Sequence, residues 1–317
     1  MKAFVRWLVW QSGLLALYHR LRNRRSLTIA QFHRVLPAGS EEWKHSEQEY
    51  ALTREEFALC LQFFRKHYNV VSLSQVLAAG QGQEALPDRA LLISFDDGWC
   101  DNRTHAEPLL RQHGMRATMF VNVEAMQQTD KRWWQDALVE IFAGGRAAEA
   151  LPQLGSAPRF YDAIVHMLET PLDERLGKLQ NALRYVPTER QMLTAAELAT
   201  LDRDVWDIGS HARTHAPLTF LTDPREELGS AAAQIAAWIG QTVACIAFPH
   251  GRYSAEIVGQ CHADGLAVMS SDARLNHADA LPLVMGRINI DPGVVGRSKA
   301  AAARELAYTL MRRDFQA

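Results

Sequence analysis

The sequence has few of the features that would fix its class directly. Its four cysteines, Cys60, Cys100, Cys245 and Cys261, stand far apart without a Cys-x-x-Cys pair. That spacing gives no support to a zinc knuckle or a dithiol redox motif, and free thiols in or near a core are expected instead. No charge sign dominates either: 34 Lys+Arg against 36 Asp+Glu leave a formal net charge of -2. A nucleic-acid partner is therefore not expected, because a polyanion would need a local basic patch. Internal repeats and low-complexity tracts are missing as well. The chain of 317 residues, 48% hydrophobic and 22% charged, has the composition of one large α/β domain or two smaller ones.

Residues 1–26, "MKAFVRWLVWQSGLLALYHRLRNRRS", are the basic exception. The longest uncharged run there, Trp7 to Tyr18, is well short of the roughly 20 apolar residues that a bilayer span needs. Arg20, Arg22, Arg24 and Arg25 stand where a small-x-small cleavage site would follow an apolar core, which argues against a cleaved signal peptide. Wound as one helix, the segment gathers Lys2, Arg6, Gly13, Arg20 and Arg24 within roughly 40°, opposite Trp and Leu. Such a helix either lies on a membrane surface or packs on the domain's own surface. The expected location is cytoplasmic, with peripheral contact at the inner membrane through residues 1–26.

From residue 27 onward, short apolar or β-branched runs at 27–33, 69–73, 90–95, 117–123, 205–210, 243–248, 265–269 and near 283–290 alternate with helical stretches. Thr53 and Glu56 have capping-box spacing at the start of one such stretch. Gly114 and Gly240 stand where two others end. This βαβα rhythm predicts a mainly parallel sheet covered by helices, as a barrel or a doubly wound sheet. The interval 131–204 has no strong strand and is expected to be a helical insertion.

In "LLISFDDGWCDN", residues 91–102, a buried strand runs directly into Asp96 and Asp97. His33, His211 and the Pro249–His250–Gly251 turn also follow predicted strands, and strand carboxyl ends are where β/α barrels carry function. In "DIGSHARTHAPLTFL", residues 207–221, His211 and His215 are four apart. That spacing puts both imidazoles on one face if the segment is helical, and two histidines plus a carboxylate make a three-ligand metal site open to water. If Asp97 takes the metal, Asp96 can stand beside it as a base that does not coordinate, which accounts for two adjacent like charges. The simpler alternative is a solvated Asx turn.

"SFDDG", "GSHARTH" and "AFPHGRY", in that order, resemble the polysaccharide deacetylase family, carbohydrate esterase family 4, over about residues 27–290. The resemblance implies an α/β fold, a distorted (β/α) barrel of about seven strands, forming one catalytic domain over 27–317. It implies hydrolysis of N-acetyl groups from hexosamine units of a polysaccharide or lipid-linked glycan, as in exopolysaccharide biosynthesis. A divalent metal goes with it, Zn2+ first and Co2+ or Ni2+ as alternatives. Asp96 then matches the general base, and Asp97, His211 and His215 the metal ligands.

The third motif departs from the pattern, with Phe248 where arginine is common before the proline and His250 where tyrosine is usual. Arg287, in "MGRINI", is the candidate for the missing guanidinium. The backbone N–H after Pro249, at His250, remains available to an oxyanion. For the acid that protonates the leaving amine, His33 in "FHRV" is favoured over His277, with His250 as a further candidate. Trp133 and Trp134 are read as a sugar-stacking platform or as core of the insertion. Other readings are a 2-His-1-carboxylate iron oxygenase, an O-acetyl esterase or cyclic amidase on the same fold, and a carbohydrate-binding protein without catalysis.

Overall fold

A computed structural model describes residues 2–295 and 299–316. Its strands are β1 (Ser26–Phe32), β2 (Arg34–Leu36), β3 (Ala51–Thr53), β4 (Asn69–Val70), β5 (Ala90–Phe95) and β6 (Ala117–Val121). They continue as β7 (Trp206–Ser210), β8 (Cys245–Ala247), β9 (Ala267–Met269), β10 (Asn276–His277), β11 (Val284–Met285) and β12 (Ile288–Asn289). The runs β1, β5 and β6 are buried at every residue, as strands of a parallel sheet covered on both faces must be.

Strands β1, β5, β6, β7, β8, β9 and β11 pair in that order, all parallel. β12 then pairs in parallel with the free edge of β1. The segment 284–289 therefore bends at Gly286–Arg287 and joins the two edges of the sheet, giving a nearly closed barrel of about seven strands, as the resemblance implied. Asn276 holds the bend: its Oδ1 accepts from Gly286 N–H at 2.8 Å, and its Nδ2 donates to Gly286 O at 3.0 Å. A Cβ at Gly286 would lie 2.6 Å from Asp272 O, so only glycine fits there.

The period of two along each strand sorts the barrel interior from its outer face. Leu27, Ile29, Leu92, Phe120, Cys245, Met269 and Met285 form the inner cluster, whereas Ala30, Phe32, Leu91, Ile93 and Phe95 pack against the covering helices. Continued upward by the same alternation, the inner positions are Gln31 and His33, Asp96, His211, and Arg287. The chemistry-bearing side chains thus inherit their direction from the hydrophobic pattern below them.

The helix Arg54–His67 starts with the expected capping box at Thr53 and Glu56. Gly114 and Gly240 end their helices in the left-handed conformation. Between β6 and β7 the chain is helical apart from loops, and carries its own cluster of Trp133, Trp134, Leu138, Ile141, Ile164 and Met167. All four cysteines are free.

The N-terminal segment is not the single helix that the wheel assumed. Gly13 adopts φ 74° and breaks it into α1 (Lys2–Gln11) and α2 (Leu14–Arg22). Arg6 consequently turns inward, to Glu305 at 2.6 Å and over the Tyr308 ring at 4.3 Å, instead of sharing an outer basic face with Arg20 and Arg24. The side chain of Lys2 lies outside the described residues.

Candidate functional site

Asp96 and Asp97 both reach the barrel mouth because the backbone turns between them. Asp97 has φ 76° and Gly98 φ 90°, so Asp97 does not alternate outward as the next strand residue would. A left-handed conformation at a non-glycine residue is strained and persists only where the surroundings hold it. A Cβ at position 98 would meet Met126 Cε at 2.4 Å and Val121 Cγ1 at 3.0 Å, which requires the glycine after the doublet.

The two histidines converge without a helix, contrary to the spacing argument. His211 follows β7, and residues 211–217 form a loop with positive φ at Ala212 and His215. Buried Glu227 shapes that loop by accepting from Arg213 N–H, Thr214 N–H and the Thr214 hydroxyl at 3.1, 2.8 and 3.0 Å. As a result His211 Nε2 lies 3.5 Å, and His215 Nε2 3.3 Å, from Asp97 Oδ1. One ligand atom from each of the three residues falls within 4.8 Å of the others.

The residues fit the cation that the family resemblance implies. Asp97 Oδ1 is buried and has no hydrogen-bond partner, which is costly unless something occupies the space it faces. Both imidazoles are already oriented by their other nitrogen: His211 Nδ1–H donates to Ala247 O at 2.7 Å, and His215 Nδ1–H donates to Gln135 Oε1 at 2.8 Å. Burial lowers both histidines and keeps them neutral, the form that binds metal. Burial and then the Asp96 charge push the Asp97 carboxyl up to about 8, so a cation held there would displace its proton. Trp99 Nε1–H fixes the other oxygen, Asp97 Oδ2, at 2.9 Å. Because Gln135 alone sets the His215 tautomer, Gln135→Leu is expected to weaken metal affinity by about 10–100-fold, measured by titration against a chelator.

Asp96 is held quite differently. Arg287 forks onto it, Nη1 to Oδ1 at 2.6 Å and Nη2 to Oδ2 at 2.9 Å, while Gln31 Nε2 donates to Oδ2 at 2.9 Å. Burial by itself would raise this carboxyl, but the Arg287 guanidinium more than reverses it and holds it ionised well below the usual carboxylate range. His33 Nε2 is 3.9 Å from Asp96 Oδ2. Burial lowers His33 to about 4, against the pull of the Asp96 charge.

Around these groups opens a cavity of about 590 Å³ whose walls include Tyr50, Trp133, Phe160, Tyr161 and His250. The His250 ring lies 4.5 Å from that of His215, and its Nε2–H donates to His215 O at 3.2 Å. The Pro249–Gly251 turn is closed by Gly251 N–H to Phe248 O and Arg252 N–H to Pro249 O, bonds that leave His250 N–H out.

Of the sequence candidates, Asp96, Asp97, His33, His211, His215, His250 and Arg287 are brought together. His277 is not: it pairs with Ser26 at the opposite end of β1 and stacks on Phe315. Trp134 is also away from the mouth, fully buried under Arg175, because it opens the helix Trp134–Ala143 facing the insertion core. Trp133 does reach the cavity, edge-on to His215 at 5.2 Å, but is only 4% exposed. Phe160 and Tyr161, partly exposed, take its expected place as an aromatic rim. Gln31, Trp99, Gln135 and Glu227 were not foreseen. The alternation "LTIAQFH" contained a signal for Gln31, two residues before His33 on the same side; the others act across sequence gaps with no local mark.

Residues 83–269 match the family model described as polysaccharide deacetylase. None of the curated proteins compared is significantly similar in sequence. Among solved structures, the deacetylase PplD of Streptococcus pyogenes, in complex with acetate, is 17% identical with a TM-score of 0.59, the match covering 90% of this chain and 98% of that one. IcaB from Ammonifex degensii is 18% identical with a TM-score of 0.55, over 89% and 97% of the two chains. The BpsB deacetylase domain from Bordetella bronchiseptica is 17% identical with a TM-score of 0.53, over 84% and 96%.

Proposed function

We propose, from the premise that this chain belongs to the polysaccharide deacetylase family, that it removes N-acetyl groups from hexosamine units of a glycan with the aid of a divalent cation. The observation that carries the reading is the division of labour between adjacent aspartates: Asp96 is neutralised by a bidentate arginine, and Asp97 turns a carboxylate oxygen without a hydrogen-bond partner toward two oriented imidazoles. Asp97, His211 and His215 would hold the cation, and two nitrogens and one oxygen with an open position suit Zn2+. When bound, such an ion acidifies water and polarises a carbonyl oxygen.

The protein's own groups supply the rest. Asp96 accepts the proton of the attacking water. A carboxylate stabilised this strongly is a weak base, one that would suffice for the acidified water that a bound cation would supply. Arg287 and Gln31 keep the accepting oxygens aimed inward. The His250 N–H, left out of the turn's own hydrogen bonds, would donate to the developing oxyanion. His33, neutral at rest and beside Asp96, relays a proton to the departing amine, so the proton taken from water is matched by one delivered. Phe160 and Tyr161 offer ring faces to the apolar side of a pyranose. An iron oxygenase would leave the buried Asp96–Arg287 pair without a task.

The test is metal content and acetate release on one purified sample, with an N-acetylglucosamine oligomer and added zinc, cobalt or nickel, beside Asp97→Ala. The expected result is about one metal per chain and acetate from the wild type alone. Acetate released by Asp97→Ala, or a wild type that binds no metal, would overturn the assignment. Faster release from an O-acetyl sugar than from an N-acetyl one would move the reading to an esterase.

A further inference from the structure

Eight of the eleven large apolar side chains that are exposed among the described residues lie within residues 4–21, Phe4 at 64%, Leu14 at 57% and Leu21 at 73% being the most open. These are not core residues that failed to dock, because the α1–α2 hairpin is already attached by its opposite face. Val9 and Trp10 pack on the core, Leu15 is buried, and buried His19 bonds with Asn23, whose amide donates to Met311 O. Arg6 locks the same face to Glu305.

Within the hairpin segment itself the charge has one sign. Residues 1–26 contain six Lys and Arg and no Asp or Glu. Arg20 is exposed at its edge, as are Arg65 and Lys66 on the last turn of the helix Arg54–His67, where Trp10 meets His67; Arg24 and Arg25, also exposed, face Asp88 at 2.9 Å and Asp279 at 3.5 Å. Burial first, and then the charges of Lys66 and Arg20, lower His67, which places those two cations around one spot. A second copy seated symmetrically on this face would bring two such cation sets together. An apolar centre with a basic border is instead the complement of an anionic lipid surface. No helix among the described residues is long and apolar enough to cross a membrane, and α1, at ten residues, spans only about 15 Å.

We propose that the α1–α2 hairpin docks in the interface of an anionic membrane, with the barrel mouth turned away from it. The direction follows from topology. α2 leads into the amino end of β1, where Arg24 O accepts from Arg89 N–H just before β5. The pocket groups Gln31 and His33 lie at the other end of β1, about 20 Å away along a seven-residue strand. Resting on the functional reading above, this orientation suits a glycan strand approaching from the aqueous side better than a saccharide held at the lipid headgroups.

The test uses the full chain and vesicles of phosphatidylcholine with or without phosphatidylglycerol. Cosedimentation is expected to be about 100-fold stronger with the anionic vesicles, from the three cations Arg20, Arg65 and Lys66 near the surface, and to be lost in Leu17→Glu/Leu21→Glu. Far-UV circular dichroism and metal content of that variant should match the wild type. Brominated lipids should quench tryptophan fluorescence, and Trp7→Phe should remove most of that quenching. Binding to neither vesicle would overturn the proposal, as would a dimer in solution that Leu17→Glu/Leu21→Glu disperses. Quenching unchanged in Trp7→Phe would overturn the orientation, since the pocket tryptophans would then face lipid. None of these readouts involves acetate, so failure here is distinct from failure of the catalytic reading.

Discussion

Replacing Asp96 by asparagine is expected to lower acetate release by about 10²–10⁴-fold, the range for removing a positioned base, while metal content stays that of the wild type. The substitution preserves shape and removes one function, since an amide cannot accept the proton. It leaves Asp97, His211 and His215 untouched, and none of their orienting bonds involves Asp96. It also leaves fully buried Arg287 facing an amide instead of a carboxylate, which should cost about 3–5 kcal/mol of stability. Turnover must therefore be compared well below the unfolding midpoint of the variant. Loss of metal together with turnover would show that Asp96 belongs to the ligand set, and retained turnover would remove it from the mechanism.

Arg287→Met should be nearly as damaging by a different route. The methionine fills much of the volume but leaves Asp96 buried with Gln31 as its remaining side-chain donor, so stability falls by about 3–5 kcal/mol and acetate release by about 10²-fold or more. Arg287→Lys restores the charge without the fork and should lie between methionine and wild type. The decisive measurement is the cycle with Asp96→Asn/Arg287→Met: the double variant contains no unpaired buried charge, so its unfolding free energy should be less reduced than the sum of the single losses. Strict additivity would mean that the two residues, though 2.6 Å apart, do not act as a pair.

The distribution of what could and could not be read from the sequence has a physical basis. Strand period and strand ends were legible because burial acts locally on each residue, and this located Asp96, His33 and His211 at one face. The glycine after the doublet was visible as a residue, but its necessity depends on Met126 and Val121, which are remote in sequence. The histidine spacing suggested the right partners for the wrong reason, since a loop held by Glu227 replaces the expected helical turn. Arg287 could be nominated as a replacement guanidinium, but only the bend at Gly286 gives it a direction. In the N-terminal segment the helical wheel failed at one residue: Gly13 ends one helix before the next begins, so the residues on its two sides do not share one wheel.

The bent segment 284–289 also bears on the timing of assembly. The ion pair that disciplines Asp96 links residues 191 positions apart, and contacts so distant in sequence carry the largest loop-closure cost. The counter-charge of Asp96 stands on the clasp that completes the ring, C-terminal to β9. On the proposed mechanism, catalytic competence would then require ring completion. A chain arrested or clipped before residue 284 would be expected to keep its three metal ligands in sequence yet remain inert, which spares the cell a half-formed hydrolase.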